Sequence, residues 1–229
     1  MMNNAPSVDG KLAPVPSRRT PTFRPSRLPE DHWRMHELRG RADAIVIGAG
    51  NLRTDNPDLA LLPEEHARRR SLALKEPLRV VITRSGERID TAARMFDRAR
   101  GGEPVVAHAV TMSAETRARI APFATLVEMG DQAVDIPRLL AWLATERDVR
   151  TALVEGGGEV NAAFFAASAV DEVYVTIVPR ILGGRDAPTM VDGPGFAEDA
   201  IPELTLASVE HIGNELFLRY DVTWPGSRR

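Results

Sequence analysis

The sequence predicts an α/β fold: a mostly parallel central sheet with helices on both faces and an antiparallel hairpin at its C-terminal edge. Three observations predict it. Short valine- and isoleucine-rich runs recur along the chain, as in strands buried on both faces. Helical patterns separate most of these runs, and strand–helix alternation implies parallel pairing. The final two strand patterns have only a short turn between them, which reads as a hairpin.

The elements follow in order. Residues 42–48 (ADAIVIG), 77–83 (PLRVVIT), 103–109 (EPVVAHA), 124–129 (ATLVEM) and 151–155 (TALVE) read as buried strands. A helix is expected over 28–41, with Pro29 near its start and Gly40 near its end. Over 113–120, Ser113 is the expected N-cap and Glu115 sits in the first turn. In 136–147, Ile136, Leu139, Leu140 and Leu143 fall at i, i+3, i+4 and i+7 and form one apolar face. Residues 159–168 make a small apolar helix, and 171–181, 203–212 and 214–224 are the last strands, with HIGNEL turning between the final two. We read one domain over 1–229, with a disordered tail at 225–229. The segment 14–27 holds four prolines and four arginines. A loop of that length is either functional or a flexible surface segment.

Composition narrows the function classes. The 229 residues are 43% hydrophobic and 27% charged, with a formal net charge of −3. That balance does not favour nucleic acid or an acidic membrane as partner. The absence of cysteine excludes disulfides, thiolate metal sites and thiol nucleophiles, and it fits a reducing cytoplasm. No apolar run approaches the roughly 20 residues that span a bilayer, and no basic-then-apolar leader opens the chain. His32 and His36 stand at i, i+4 without a third ligand nearby, and they read as an ordinary pair on a helix surface. No metal is expected.

The candidate site residues lie at strand ends. In VEGGGEVN (154–161) a strand passes into a helix through Gly156, Gly157 and Gly158. Bare backbone there admits close approach and positive φ, and the helix start offers N–H groups to a phosphate. A tight connection without a ligand is the equal alternative. A second strand end, AIVIGAGNLRTDNP (44–57), leads through Gly48 to Asn51, Arg53, Asp55 and Asn56. Two such ends suit an extended ligand such as a dinucleotide. At a third end, Arg84 beside Ser85 suits a 2′-phosphate and hence NADPH, or is a solvated loop arginine.

These segments carry a resemblance. SVDGKLA (7–13), AIVIGAGNLRTDNPDL (44–59), LRVVIT (78–83), LVEGGGEVNAAFF (153–165), the run from Val170 to Phe196 and the C-terminal hairpin resemble the pyrimidine reductases of riboflavin biosynthesis, in nearly their whole length and order. The resemblance implies a dihydrofolate-reductase-like fold, a stand-alone reductase rather than a fused deaminase–reductase, and a homodimer. It implies hydride transfer from NADPH to C1′ of a ribosylamino-pyrimidine 5′-phosphate, giving the ribitylamino product. It also implies roles for individual residues. Gly48, Asn51, Asp55, Arg84, Ser85, Gly156, Gly157, Gly158 and Asn161 are expected at the cofactor. Asn3, Ser7, Asp9, Lys11, Leu59 and Glu155 are expected at the substrate. Asn3 can accept as well as donate, which favours a 2,5-diamino-pyrimidinone.

Two departures from the family pattern matter. Asn51 replaces a hydroxyl residue, and after Leu59 no arginine appears before Arg68. Arg18, Arg19 or Arg24 could then take the substrate phosphate, or the substrate could be a pterin or another heterocycle. A non-catalytic nucleotide-sensing protein on the same fold is the remaining alternative.

Overall fold

The computed structural model describes residues 1–15 and 23–226. Arg18 and Arg19, and the last three residues of the expected tail, lie outside the described residues. The chain divides into two compact units, Trp33–Val154 and Met1–His32 with Glu155–Arg229.

In the Trp33–Val154 unit the strands are β2 (Ala44–Gly48), β3 (Leu78–Thr83), β4 (Pro104–His108), β5 (Thr125–Glu128) and β6 (Ala152–Val154). All pair in parallel in the order β5-β4-β3-β2-β6. Every residue of β2 and β4 is buried. The β-branched side chains of β2 and β3 fill a core with Leu52, Leu59, Met95, Phe96 and Ile120. Burial of each such side chain contributes roughly 1.5–3 kcal/mol. The strand expected at 124–129 forms, but as the edge strand β5 it is half-exposed rather than buried. Registers pair Gly48 with Ile82 and Thr83 with His108. The carboxyl ends of β2, β3 and β4 therefore finish together.

The helices show why each forms where it does. α4 (Ala114–Ile120) is capped by Ser113, whose side chain accepts from the Thr116 N–H at 3.1 Å. α5 (Ile136–Arg147) is capped by Asp135, which accepts from the Arg138 N–H at 2.9 Å. α1 spans Pro29–Arg41. Within it His36 is buried and His32 exposed, so the two do not form the surface pair expected from their spacing. Two helices were not anticipated. α2 (Ala49–Asp55) starts directly at the end of β2, where the sequence indicates only a glycine-bearing strand end. α3 (Pro63–Ser71) has almost no apolar residue to announce it. Its anchor is Arg69, 1% exposed, which donates to the carbonyls of Gly40 (3.0 Å), Ala42 (2.7 Å) and Lys75 (2.7 Å) and pairs with Asp43.

The second unit contains β1 (Met2–Asn4), α6 (Gly158–Ala166), β7 (Glu172–Ile177), β8 (Glu203–Ile212) and β9 (Glu215–Thr223). β1 pairs with β7 in parallel, β7 with β9 and β9 with β8 antiparallel. Gly213, at φ 60°, turns the hairpin. A register shift between Leu206 and Ser208 marks a bulge. Beyond it Val209 returns to the face shared by Leu204 and Leu206. Among the described residues no helix is long and apolar enough to cross a membrane.

Candidate functional site

In the Trp33–Val154 unit, the candidate residues gather at the aligned carboxyl ends of the parallel strands, the usual ligand position in such sheets. Gly48 caps α2 with φ −89° and ψ 154°, so it needs no left-handed freedom. Asn51 and Asp55 are one helical turn apart, which places them on a common side of α2 rather than in a loop. A Cβ at Gly50 would meet nothing within 4 Å, so the first turn of α2 is open. Arg84 follows β3 directly. Its carbonyl accepts from the Ala109 N–H (3.2 Å) and the Thr111 hydroxyl (3.3 Å). Its side chain is exposed, Ser85 is half-buried, and the Arg84 guanidinium makes no ion pair among the described residues.

The turn after α2 is unusual. Asn56 (φ 42°) and Leu59 (φ 55°) are both left-handed, and Leu59 is 2% exposed in the core. Whatever Leu59 offers a ligand, it offers through its backbone. Asp58 between them accepts from the Ala60 N–H at 3.2 Å and pairs with Arg94. Burial raises its carboxyl, but the Ala60 N–H and the charges of Arg94 and Arg39 outweigh that and hold its pKa below the usual value.

In the other unit, the glycine turn answers a question that the sequence poses: what needs to come so close to this backbone? At two of the three glycines it is the protein itself. A Cβ on Gly156 would stand 2.7 Å from Asn161 Oδ1 and 2.8 Å from the Val160 side chain. On Gly158 it would stand 2.1 Å from Asp192 Oδ2 and 2.7 Å from the Thr189 carbonyl. Gly157 has φ −83° and ψ 176°, so the expected need for positive φ there is corrected. Asp192 is held by the Thr189 N–H (3.1 Å) and hydroxyl (2.6 Å), and its carboxylate lies against the first turn of α6. A negative group there stabilises the helix start. It also opposes the phosphate that the bare turn alone suggested.

Asn161 is fully buried. It donates to Asn4 Oδ1 (2.8 Å) and the Met190 carbonyl (2.7 Å), while Asn4 donates to the Gly156 carbonyl (3.1 Å). Asn161 thus sets the turn from behind. Asn4 and Asp192 were not identified from sequence, because their partners lie far away along the chain. Asn3 and Glu155 are half-buried.

The 7–11 element is a clamp. Gly10, at φ 78°, closes its turn onto the Ser7 carbonyl at 2.8 Å. Asp9 receives the Ser7 hydroxyl (2.6 Å) and the N–H groups of Leu182 (3.1 Å) and Gly183 (2.7 Å). These donors, the Ser7 hydroxyl first, lower its pKa from 3.8 to about 2. Lys11 donates to the Ala187 carbonyl at 3.1 Å. Asp9 is therefore an ionised acceptor at working pH and holds no proton to give. Arg24 is held against its own neighbours: its side chain donates to the Phe23 carbonyl (3.1 Å), and its carbonyl accepts from Arg180 (2.7 Å).

The family model described as the RibD C-terminal domain matches residues 1–218. The chain is 33% identical over 228 residues to the 2,5-diamino-6-ribosylamino-4(3H)-pyrimidinone 5′-phosphate reductase of Methanothermobacter thermautotrophicus, covering 97% of each. It is 32% identical over 215 residues to the protein of that name from Archaeoglobus fulgidus, covering 93% of this chain and 92% of the relative. Among solved structures, a pyrimidine reductase-like protein from Corynebacterium diphtheriae has TM-score 0.78 at 19% identity, over 97% of this chain and 90% of that one. Acinetobacter baumannii RibD has TM-score 0.75 at 19% identity, over 97% of this chain. This chain spans 57% of that RibD. These structural likenesses bear out the α/β fold.

Two outcomes follow from the geometry. Gly158→Ala should lower stability by about 1–3 kcal/mol, since the Thr189 backbone must move, whereas Gly50→Ala, where a Cβ meets nothing within 4 Å, should be nearly neutral. Denaturant melts of both variants check this, and equal losses would contradict it. Asp9 has a depressed pKa, so its stabilisation is complete above pH 3.8 and fades as pH falls through about 2. In Asp9→Asn that acid-limb slope should disappear, which thermal melts from pH 5 to 2 measure.

Proposed function

The chain belongs to the RibD C-terminal domain family, and on that premise we propose that it is an NADPH-dependent oxidoreductase of riboflavin biosynthesis. It reduces the ribosylamino group of a pyrimidine 5′-phosphate to ribitylamino. The observation that carries this reading is end-to-end correspondence with a protein named as such a reductase, 33% identical across 97% of both chains. The family match over 1–218 runs through both units, which supports reading them as one reductase domain.

The residues fit a nicotinamide cofactor. The open backbone at Gly50, the polar side chains of Asn51 and Asp55, and the exposed Arg84 beside Ser85 give a dinucleotide backbone contacts and a charged anchor. Arg84 favours the 2′-phosphate of NADPH over NADH. The glycine turn, taken by itself, suits a neutral group better than a phosphate, because Asp192 already faces the start of α6.

When bound, the cofactor supplies a hydride to C1′ of the opened ribosyl chain. With that carbon part of a protonated imine, hydride addition gives the neutral amine, and no strong acid is required at that step. The protein's task is then alignment and exclusion of water. An Asp9 that keeps its charge, and a glycine turn fixed from behind by Asn161, suit that task. Asn3, on the face of β1 opposite Asn4, favours the diamino-pyrimidinone.

We also read the protein as a homodimer. β8 lies at the edge of its sheet, and Leu204, Leu206 and Val209 are 45–57% exposed on one face. A long apolar edge of this kind demands a cover. Sedimentation at micromolar concentration should show about twice the 25.1 kDa chain mass, and a lone monomer would refute the dimer.

NADPH oxidation should be faster with the 2,5-diamino-pyrimidine ribosyl phosphate than with its amino-oxo counterpart, and oxidation with neither would overturn the reading. Arg84→Ala should cost about 1.5–3 kcal/mol of NADPH affinity and leave NADH unchanged. Equal losses for both cofactors would remove Arg84 from the site.

A further inference from the structure

The turn at residues 56–60 places two left-handed non-glycine residues, Asn56 and Leu59, on either side of Pro57 and Asp58. A bulky residue in that region costs about 1–3 kcal/mol and persists only where its surroundings over-determine it. Here the over-determination comes from arginines. Arg79, fully buried on β3, donates to the Asp58 carbonyl at 3.4 Å. Arg39, buried in α1, donates to the Ala60 carbonyl at 3.3 Å. Arg100 Nη1 lies 3.6 Å from Asp58 Oδ2. Arg94 holds the turn at two points: its backbone N–H donates to Asn56 Oδ1 at 2.9 Å, and its guanidinium pairs with the Asp58 carboxylate.

These contacts divide by burial. Arg79 and Arg39 are enclosed, so removing either would orphan buried carbonyls and confuse positioning with folding. The side chain of Arg94 is 51% exposed and that of Asp58 21%. An exposed pair of this kind adds little to global stability. Yet it grips the segment that runs from α2, with its candidate ligand residues Asn51 and Asp55, to the strained backbone at Leu59.

We propose that Arg94 is a positioning residue that fixes the 56–60 backbone in the form the pyrimidine phosphate requires, acting through Asn56 and Asp58. The proposal rests on the reductase reading above and on the place at the substrate that the family resemblance implies for Leu59. It assigns a use to a strained leucine whose side chain is buried in the core.

Arg94→Met keeps the apolar stem and the backbone N–H but removes the grip on Asp58. A turn misplaced by a fraction of an ångström should raise KM for the pyrimidine phosphate by about tenfold. The melting temperature should move by no more than a few degrees, as for a surface pair. Arg94→Lys should recover most of the lost KM. Asp58→Asn should shift KM in the same direction, and adding Arg94→Met to it should change little further, because the Arg94–Asp58 pair is already lost there; the weaker Arg100 contact goes with Asp58 alone. Unchanged kinetics in Arg94→Met and Asp58→Asn, with an active wild type, would overturn the proposal alone. So would a KM loss that lysine does not rescue and that follows the melting temperature. A wild type that neither binds nor oxidises NADPH would remove the reductase reading and this proposal together.

Discussion

One buried amide governs the glycine turn. The Asn161 side chain joins the end of β1, through Asn4, to the segment that carries Met190, and Asn4 in turn holds the Gly156 carbonyl. The Asn161–Asn4 and Asn4–Gly156 bonds are buried, where a lost partner costs about 1–3 kcal/mol. The network therefore fixes the backbone of the turn before any ligand arrives. The same need explains the glycines. Position 156 must leave space for Asn161 and Val160, and position 158 for Asp192 and Thr189.

The Trp33–Val154 unit achieves the same end with buried guanidinium groups. Arg69 collects the carbonyls of Gly40, Ala42 and Lys75, and Arg79 collects those of Gly102, Asp97 and Asp58. An arginine has five donors in a rigid fork, so one side chain can satisfy several orphan carbonyls in irregular chain. Burial lowers the pKa of Arg79, but such a group stays charged at any working pH. Rigid loops follow from these contacts. A reaction that depends on alignment rather than on a strong acid or nucleophile benefits from loops held in this way.

Much of the fold was legible in the residues, for a physical reason. β2, β3 and β4 are buried on both faces, so their sequences are unbroken apolar runs. Ser113 caps α4 as its side chain predicts. What failed to show lacked a local signature. α2 follows Gly48 without a break, and glycine there resembles a turn. α3 is polar almost throughout and rests on Arg69. At the site, the aspartate and lysine of SVDGK and the glycines of VEGGGEVN drew attention through their composition. Their physical work proved different: Asp9 is a loop clamp, and two of the glycines accommodate neighbouring side chains. Asp192, Asn4 and Arg94 were silent because their partners are distant in the chain. Nothing in a leucine codon position announces the left-handed backbone at Leu59.

The central claim is that this chain carries hydride from a reduced nicotinamide to C1′ of a ribosylamino-pyrimidine phosphate. The most direct measurement is transfer of label from NADPH deuterated at C4 of the nicotinamide, using each of the two stereospecifically labelled forms in turn. The account predicts one deuterium at C1′ of the ribityl chain from one form, none from the other, and no washout to solvent. Product without deuterium from either form, or deuterium at any other carbon, would contradict it.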